Sequence, residues 1–454
     1  MKTFLENWLA MSNNLLKQIN NKWIFVAILA ISTPVNSASL KSVVEQTLAT
    51  NPEVLADNNQ RMAREQELRQ ARSGYGPSLD ITGGIGVETS DNSTTRAAGS
   101  DETLTRQETA IQIRQMVFDG FATKREVARQ HARVDSSAYT LMSTTEQVSL
   151  RTTETYLEVL KRMELLELAK TNLETHKHTR DQITLRSRSG VGRKADADQV
   201  TGRYALAMAN VISEESNLAD ARSNYLRVTG ELPNDLLLPD VEKLPVPDSV
   251  EAAVEVALAA HPTLKSAEAD VEATQAQHQA TNNTLYPRID LEAGQSWNKD
   301  LDGQPGDNND SSVMLRMRYL LFASGREQAR RKQTAHLLDE AKEIRNNTRR
   351  QVVESIRLSW SQFQTQASQL EYLQQHVDST KSTLDAYRKQ FNIGKRSLLD
   401  LLDSENELFD ASRSYVNTRY DNLFARYRIQ VGLGRLLESL GVDYPGQAEL
   451  TAQR

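Results

Sequence analysis

The chain has 454 residues, a formal net charge of −6 and an apolar fraction of 39%. Its Lys and Arg residues are interspersed with Asp and Glu, so no basic patch indicates nucleic-acid binding. The absence of cysteine excludes disulfides, thiol catalysis, thiolate metal sites and lipid attachment to an N-terminal cysteine. The low apolar fraction also argues against one large compact core.

The N-terminus has the pattern of an export signal. A polar stretch with three lysines precedes the apolar run Trp23–Ile31, and the small residues Ser37-Ala38-Ser39 follow. This order predicts a cleaved signal peptide over residues 1–38. The apolar run is too short to cross a bilayer as a helix. The alternatives for this segment are a buried helix or a membrane anchor.

The rest of the chain contains one arrangement twice. Residues 39–88 align without a gap with residues 249–298, and the prolines and apolar positions correspond. Such internal similarity indicates two fused structural repeats. We predict repeats over residues 39–230 and 250–440. The segment between them, residues 231–249, is a proline-rich connector, and residues 441–454 form a C-terminal tail.

Each repeat contains a pair of alternating stretches that predict strands. The four stretches are residues 78–88, 109–118, 288–297 and 312–321. Each has about the ten residues that a tilted strand needs to cross an outer membrane. One face of these strands is apolar, and the other carries Asp80, Arg114, Asp290, Glu292, Arg316 and Arg318. The alternative is that these strands form ordinary half-buried hairpins of a soluble protein. The presence of two such hairpins in an exported chain without cysteine favours the membrane interpretation.

The predicted hairpins have long polar tips, at residues 89–108 and 299–311. Soluble hairpins usually have much shorter loops, whereas outer-membrane barrels carry longer extracellular loops. Four strands are too few to close a barrel, and unpaired strand edges cannot face lipid. The barrel interpretation therefore requires several copies of the chain.

Long helices make up most of the remaining sequence. They are predicted over residues 121–188, 195–230, 325–391 and 397–438. A helix of 68 residues would be about 100 Å long, far longer than a compact domain requires. The apolar spacing alternates threes and fours as in a coiled coil, for example at Val352, Ile356, Trp360, Phe363, Ala367, Leu370 and Leu373. The alternative from another class is a periplasmic coiled-coil protein that forms no pore.

Catalytic patterns are weak throughout the sequence. His176 and His178 are two residues apart on a predicted helix and therefore point in different directions. The glycine-containing stretch Gly190–Lys194 lacks the spacing and the strand-to-helix context of a phosphate loop. We therefore predict that the protein is not an enzyme and that it has no cofactor, catalytic residue or metal site.

The full order of elements resembles the TolC family of outer-membrane channel-tunnels over essentially the whole mature chain. The matching motifs are Pro77-Ser78-Leu79, Tyr286-Pro287-Arg288-Ile289, Phe118-Asp119-Gly120, Phe322-Ala323-Ser324-Gly325 and Gly394–Asp403. The resemblance implies a homotrimer in the outer membrane with a 12-stranded β-barrel and a 12-helix α-barrel extending into the periplasm. It also implies two partners, a periplasmic membrane-fusion adaptor and an inner-membrane ABC transporter.

The resemblance further implies a gate at the periplasmic end. Asp198 and Arg396 match the family's latch between neighbouring helix pairs, and Asp400 and Asp403 match its acidic constriction. The helix turns that would contact the adaptor contain Gly190, Gly192, Gly394 and Lys395. Asp400 and Asp403 are three residues apart and share a helix face. The alternative is that these charges only solvate a helix end.

Two stretches resemble a particular branch of the family. Ser189–Gln199 and Tyr225–Gly230 resemble type I secretion members that export large repeat adhesins. We therefore expect an exit duct for a type I secretion apparatus. The alternative within the family is the outer-membrane component of a multidrug or small-molecule efflux pump.

Overall fold

The computed structural model describes residues 38–99, 102–240, 244–448 and 450. Of the predicted signal segment, residues 1–38, all but Ala38 lie outside these ranges. The described helices are α1 (Leu40–Thr50), α2 (Pro52–Ser73), α3 (Ser93–Ala98), α4 (Ala122–Arg188), α5 (Lys194–Thr229), α6 (Val250–Ala260), α7 (Pro262–Ala280), α8 (Arg326–Asn392), α9 (Leu398–Gly432) and α10 (Leu436–Leu440). The strands are β1 (Ser78–Ser90), β2 (Glu102–Phe118), β3 (Arg288–Leu301) and β4 (Gln304–Arg318).

The two repeats begin in the same way. Pro52 and Pro262 each occupy the first turn of a helix, α2 and α7. This position suits proline because its missing N–H would have no partner in the helix. The preceding residues, Asn51 and His261, cap these helices by accepting hydrogen bonds from backbone N–H groups.

The four strands form one antiparallel sheet in the order β1-β2-β3-β4. Ile81 lies opposite Ile111, and Leu291 lies opposite Leu315. Charged residues pair on the other face, where Arg114 is opposite Glu292. Because side chains alternate between the faces of a strand, one face of the sheet is apolar and the other is charged, as the sequence predicted.

The hairpin tips differ from the prediction. The expected loop over residues 299–311 is wrong, because β3 continues to Leu301 and β4 begins at Gln304. Residues 89–108 are also mostly ordered, since β1 extends to Ser90, β2 begins at Glu102 and α3 lies between them. Most side chains at these strand ends are polar, so the alternation that reveals a strand is weak in their sequence. At its other end β4 stops at Arg318, three residues before the predicted boundary.

The helices form four parallel strips in the same order as the strands. Near the sheet the order of packing is α2, α4, α7, α8, and at the far end it is α5, α4, α9, α8. The long helices α4 and α8 thus run the whole length, while α2 and α5, and likewise α7 and α9, share a strip end to end. β1 and β4 remain unpaired edges of the sheet within one chain.

The last long helix is shorter than predicted. The sequence favoured a helix to residue 438, but α9 ends at Gly432 and the short helix α10 follows. Gly434, between them, has a φ of +68°, a backbone conformation that glycine adopts without steric cost. The buried carboxylate of Glu146 accepts the N–H groups of Leu436 and Leu437 at 3.0 and 3.3 Å, which fixes the start of α10.

The largest apolar cluster lies midway along the helices. It includes Tyr156 of α4, whose hydroxyl lies 2.8 Å from the carbonyl oxygen of Ala38 and 2.6 Å from that of Leu237. The beginning of the described chain and the proline-rich connector are therefore joined at α4. A second cluster contains Val352, Ile356 and Trp360, three of the positions that the coiled-coil spacing predicted to be apolar contacts.

Candidate channel lining and periplasmic end

The charged face of the sheet carries linked ion pairs. Glu292 of β3 accepts from Arg114 of β2 at 3.1 Å and from Arg316 of β4 at 2.8 Å. Arg288 and Asp290 pair at 2.8 Å within β3. On the opposite face, Ile81 and Leu315 are 70% and 67% exposed. The two faces are therefore suited to different environments, water on the charged side and hydrocarbon on the apolar side.

At the far end, two similar turns join the long helices. Gly190 and Gly394 have φ values of +78° and +74°, which an L-residue with a side chain rarely adopts. In the first turn Val191 and Gly192 donate to the carbonyl oxygen of Arg186, and in the second Lys395 donates to that of Gln390. These bonds satisfy carbonyl groups that the end of a helix leaves free.

The turns and the first residues of α9 present apolar side chains to solvent. Val191 is 84% exposed, Ile393 is 67% exposed and Leu399 is 50% exposed. Exposed apolar groups at one end of a long helical structure are suited to contact with another protein. The sequence had predicted adaptor contact through Gly190, Gly192, Gly394 and Lys395, and this remains a prediction.

The predicted latch residues do not contact each other within one chain. Among the described residues, Arg396 lies over the ring of Tyr387 at 3.9 Å and pairs with Asp400 at 3.6 Å. Asp198 is exposed in the first turns of α5. A contact between Asp198 and Arg396 therefore stays a prediction about neighbouring copies.

Both predicted constriction carboxylates have arginine partners in their own chain. Asp400 pairs with Arg396, and Asp403 accepts from Arg203 of α5 at 2.9 Å. Each partner offsets part of the negative charge that the sequence alone suggested. Glu407 and Asp410 continue the same face of α9 and line a groove with Asp403; the spacing of three and four residues was the available signal for them.

A buried polar contact joins the two helix pairs, and the sequence prediction did not include it. His176 of α4 and Glu405 of α9 are both 2% exposed, and their Nδ1 and Oε2 atoms are 3.4 Å apart. Arg388 of α8 lies 3.6 Å from the other carboxylate oxygen. Burial lowers the pKa of His176 and raises that of Glu405. The sequence signal for the burial of His176 was its heptad spacing, since it lies seven residues from both Ala169 and Ile183, which are buried on the same helix.

Within the described ranges, no group of three or more His, Asp or Glu side chains is placed to hold a metal ion.

None of the described helices is both long enough and apolar enough to cross a membrane.

Comparison with known proteins identifies the family. Residues 43–231 and 253–435 match the family described as outer membrane efflux protein, and the two matched segments correspond to the two repeats. The chain belongs to the outer membrane efflux protein family. Membership in this family confirms the predicted outer-membrane location with an extension into the periplasm, and it makes the protein a transport protein and not an enzyme.

Known relatives of the chain are distant in sequence, and solved outer-membrane channels are close to it in fold. The outer membrane protein TolC of Escherichia coli strain K12 is 25% identical over 415 residues, which cover 88% of this chain and 83% of that protein. The alkaline protease secretion protein AprF of Pseudomonas aeruginosa is 24% identical over 436 residues, covering 92% and 89%. The crystal structure of the Campylobacter jejuni CmeC outer membrane channel superposes with a TM-score of 0.76 at 15% identity, covering 87% of this chain and 86% of that one.

The fold prediction is confirmed by these comparisons. The chain is mostly helical, with four strands distributed over two repeats, and solved outer-membrane channels share this fold. Secretion and efflux proteins both occur among the relatives of the chain, so family membership leaves the cargo open.

Proposed function

We propose that the protein is the outer-membrane exit duct of a type I secretion apparatus and that three copies form one channel. Each copy contributes four strands and four helical strips to this assembly. Its partners are a periplasmic membrane-fusion adaptor and an inner-membrane ABC transporter, and its cargo is a large protein such as an adhesin. The observation that carries the proposal is the open-edged sheet with one apolar and one charged face.

The unpaired edges support assembly from several copies. β1 and β4 lie at the two edges of the sheet, and unpaired backbone groups are very costly in lipid. Pairing β4 of one copy with β1 of the next would remove both edges. Three copies would give twelve strands, above the minimum of about eight for a membrane barrel.

The helical edges have matching properties. α8, at one edge, exposes Tyr372 at 69% in the half next to the periplasmic turns, while α5, at the other edge, exposes Leu206 and Ile212 at 53% and 60%. Contact between these edges in neighbouring copies would bury apolar surface, which stabilises association. The same packing would bring Asp198 on α5 toward a neighbouring copy, as the predicted latch with Arg396 requires.

Two observations favour protein export. The relative AprF is named for alkaline protease secretion and matches 92% of this chain. The stretches Ser189–Gln199 and Tyr225–Gly230 resemble type I secretion members, and the first of them forms the turn between α4 and α5 and the start of α5. Because that turn lies at the end that would meet the adaptor, its sequence bears on partner choice.

Small-molecule efflux is the second candidate. The family is described by efflux. On the charged face of the sheet, Arg114, Arg288 and Arg316 pair with carboxylates, and this arrangement has no feature specific to a protein cargo. A channel of this kind would pass drugs or other small compounds supplied by a different pump.

The experiment compares both functions in the native host. Deleting the gene should remove a large protein from the culture medium, and reintroducing the wild-type gene should restore it. Leu315→Arg places a charge on the apolar face of the sheet and should abolish secretion by preventing barrel assembly. Arg316→Gln alters only the charged face and is its matched control. Increased drug susceptibility with an unchanged set of secreted proteins would instead favour efflux.

The purified protein tests the channel itself. A channel should run as a heat-stable trimer from the outer-membrane fraction and conduct ions across a planar bilayer. A soluble periplasmic rod without conductance would contradict the proposal and favour the pore-free coiled-coil alternative. Crosslinking and co-purification from the native host would identify the adaptor and the transporter.

A further inference from the structure

The two hairpins meet at the end of the sheet that lies away from the helices. Pairing of β2 with β3 ends at Gln107 and Lys299, whereas β1 and β2 stay paired as far as Ser90 and Glu102. The turn of the second hairpin nevertheless contacts β1, which is two strands away from β3. Because neighbouring strands are about 4.8 Å apart, this turn must pass across β2.

The turn crosses on the charged face. The N–H of Asp302 donates to Oε2 of Glu88 at 3.2 Å, and the Asp302 carboxylate lies 3.6 Å from Arg106. By strand alternation, Glu88 and Arg106 share the face that carries Asp80 and Arg114. Val87, on the opposite face, is 77% exposed.

The turn packs closely against the first hairpin. Gly303 is buried with a φ of +74°, and an added Cβ would lie 2.5 Å from Cγ2 of Thr95 and 2.9 Å from Cβ of Ser90. Nδ2 of Asn92, the N-cap of α3, donates to the carbonyl oxygen of Asp302 at 2.8 Å. Position 303 therefore requires glycine, both because there is no space for a side chain and because the backbone has a positive φ.

We propose that Leu301–Gln304, here named the strap, narrows the extracellular mouth of the channel. This inference rests on the proposed function, in which the charged face lines the water-filled pore. Three copies bring three straps to one mouth, at the opposite end from the periplasmic turns. The channel then has an outer constriction that is independent of the periplasmic gate.

One arginine holds the strap against several carboxylates. Arg106 pairs with Glu88 at 2.9 Å, with Glu108 and with Asp302. Without this guanidinium the three carboxylates would repel one another. Asp302 is 69% exposed, so salt should weaken its attraction to Arg106, since the Debye length falls from about 10 Å at 0.1 M to about 3 Å at 1 M.

The test measures the size of polymer that each mouth admits. Purified channels in planar bilayers are exposed to polyethylene glycols of graded size, added from the extracellular or the periplasmic side. Arg106→Gln should admit larger polymers from the extracellular side and leave the periplasmic limit unchanged. Wild-type channels should show the same extracellular shift on going from 0.1 to 1 M salt. In Arg106→Gln, salt instead screens the repulsion among the carboxylates, so the extracellular limit should not rise with salt.

A matched control removes a positive charge from the same hairpin, at a residue whose ion pair does not involve the strap. Arg96 of α3 is 70% exposed and pairs with Asp91 at 2.9 Å, so Arg96→Gln should keep the wild-type limit and salt dependence. Gly303→Val should displace the strap by a second route, since valine does not fit against Thr95 and Ser90. Heat-stable trimers would establish that this variant assembles. If it does not assemble, the comparison of Arg106→Gln with Arg96→Gln decides the matter.

The inference and the function on which it rests fail in different ways. Conducting trimers with the same extracellular size limit in wild type and Arg106→Gln would overturn the strap as a constriction. A wild-type protein that forms no channel at all would overturn the proposed function.

Discussion

His176 and Glu405 face each other across the contact between α4 and α9, 3.4 Å apart and almost completely buried. α4 belongs to the first repeat and α9 to the second, so this polar contact joins the two helix pairs close to their periplasmic turns. A buried carboxyl is costly when ionised. Arg388, 3.6 Å from the Glu405 carboxylate, supplies positive charge that opposes this cost.

The first prediction concerns the pH dependence of this contact. Burial raises the pKa of Glu405, so its stabilising contribution is complete below about pH 4.3, the ordinary pKa of an unfolded glutamate, and is lost as pH rises through the folded pKa. Glu405→Gln should therefore abolish a loss of stability with rising pH that the wild type shows. Thermal unfolding of the trimer from pH 4 to 8 measures the difference between the two proteins.

The neighbouring histidine acts in the opposite direction and supplies a control. Burial lowers the pKa of His176, so its contribution is complete above about pH 6.5 and is lost as pH falls through the folded pKa. His176→Gln should remove only the loss on the acidic side. Parallel unfolding curves for Glu405→Gln and the wild type would contradict the first prediction.

The second prediction concerns the lipid-facing side of the sheet. Ile81→Arg or Leu315→Arg should reduce barrel assembly, because arginine near the bilayer midplane costs roughly 2–4 kcal/mol on the lipid face of a barrel. Asp80→Asn and Arg316→Gln change the other face and should mainly alter conductance. Trimer yield in the outer membrane and single-channel recording measure the two effects. Equal assembly defects in both sets would show that the assignment of the faces is wrong.

The third prediction concerns the periplasmic turns. Arg396→Gln removes the partner of Asp400 and, by the proposal, the latch with Asp198 of a neighbouring copy. Conductance of the closed channel should increase, with a salt-dependent effect, because an exposed ion pair contributes only about 0–1 kcal/mol. Lys395→Gln, at the adjacent position, is the matched control for charge. An Arg396→Gln channel that stays as closed as the Lys395→Gln channel would remove Arg396 from the latch.

The fourth prediction separates the acidic constriction from the latch. Replacing both Asp400 and Asp403 with Ala should weaken cation selectivity, because carboxylates near a pore attract cations. The loss of selectivity should be smaller than the loss expected from removing six unpaired carboxylates, two in each of three copies. The reason is that Arg396 and Arg203 already pair with these residues. Reversal potentials in asymmetric salt measure the selectivity. An unchanged reversal potential would place both residues outside the pore lining.

The fifth prediction concerns the attachment of α10. Burial raises the pKa of Glu146 to about 7, against hydrogen bonds from Tyr444, Leu437 and Leu436 that favour the carboxylate. Its stabilising contribution is therefore complete below about pH 4.3 and is lost as pH rises to about 7.

Glu146→Gln is the variant that tests this sign. The wild type should lose stability relative to Glu146→Gln between about pH 4.3 and about pH 7. Thermal unfolding together with proteolysis of the C-terminal segment measures the change. A wild type that becomes more stable than the variant over this interval would contradict the predicted direction.

The sequence by itself determined the two repeats, the order of their elements and the alternation of the strands. These properties follow from local periodicity, since side chains repeat every two residues along a strand and about every 3.6 along a helix. The boundaries of α4 and α8 agree with the prediction to within a residue. The faces of the sheet were predicted correctly for the same reason.

Only the tertiary structure decided the contacts between segments that are distant in the chain. Arg203 pairs with Asp403 and His176 meets Glu405 across roughly two hundred residues of sequence, and the strap crosses β2 to reach Glu88. In each contact, the local sequence around one residue does not indicate which distant residue it meets. Periodicity specifies which face a residue occupies, but the packing of helices and hairpins specifies what lies opposite that face.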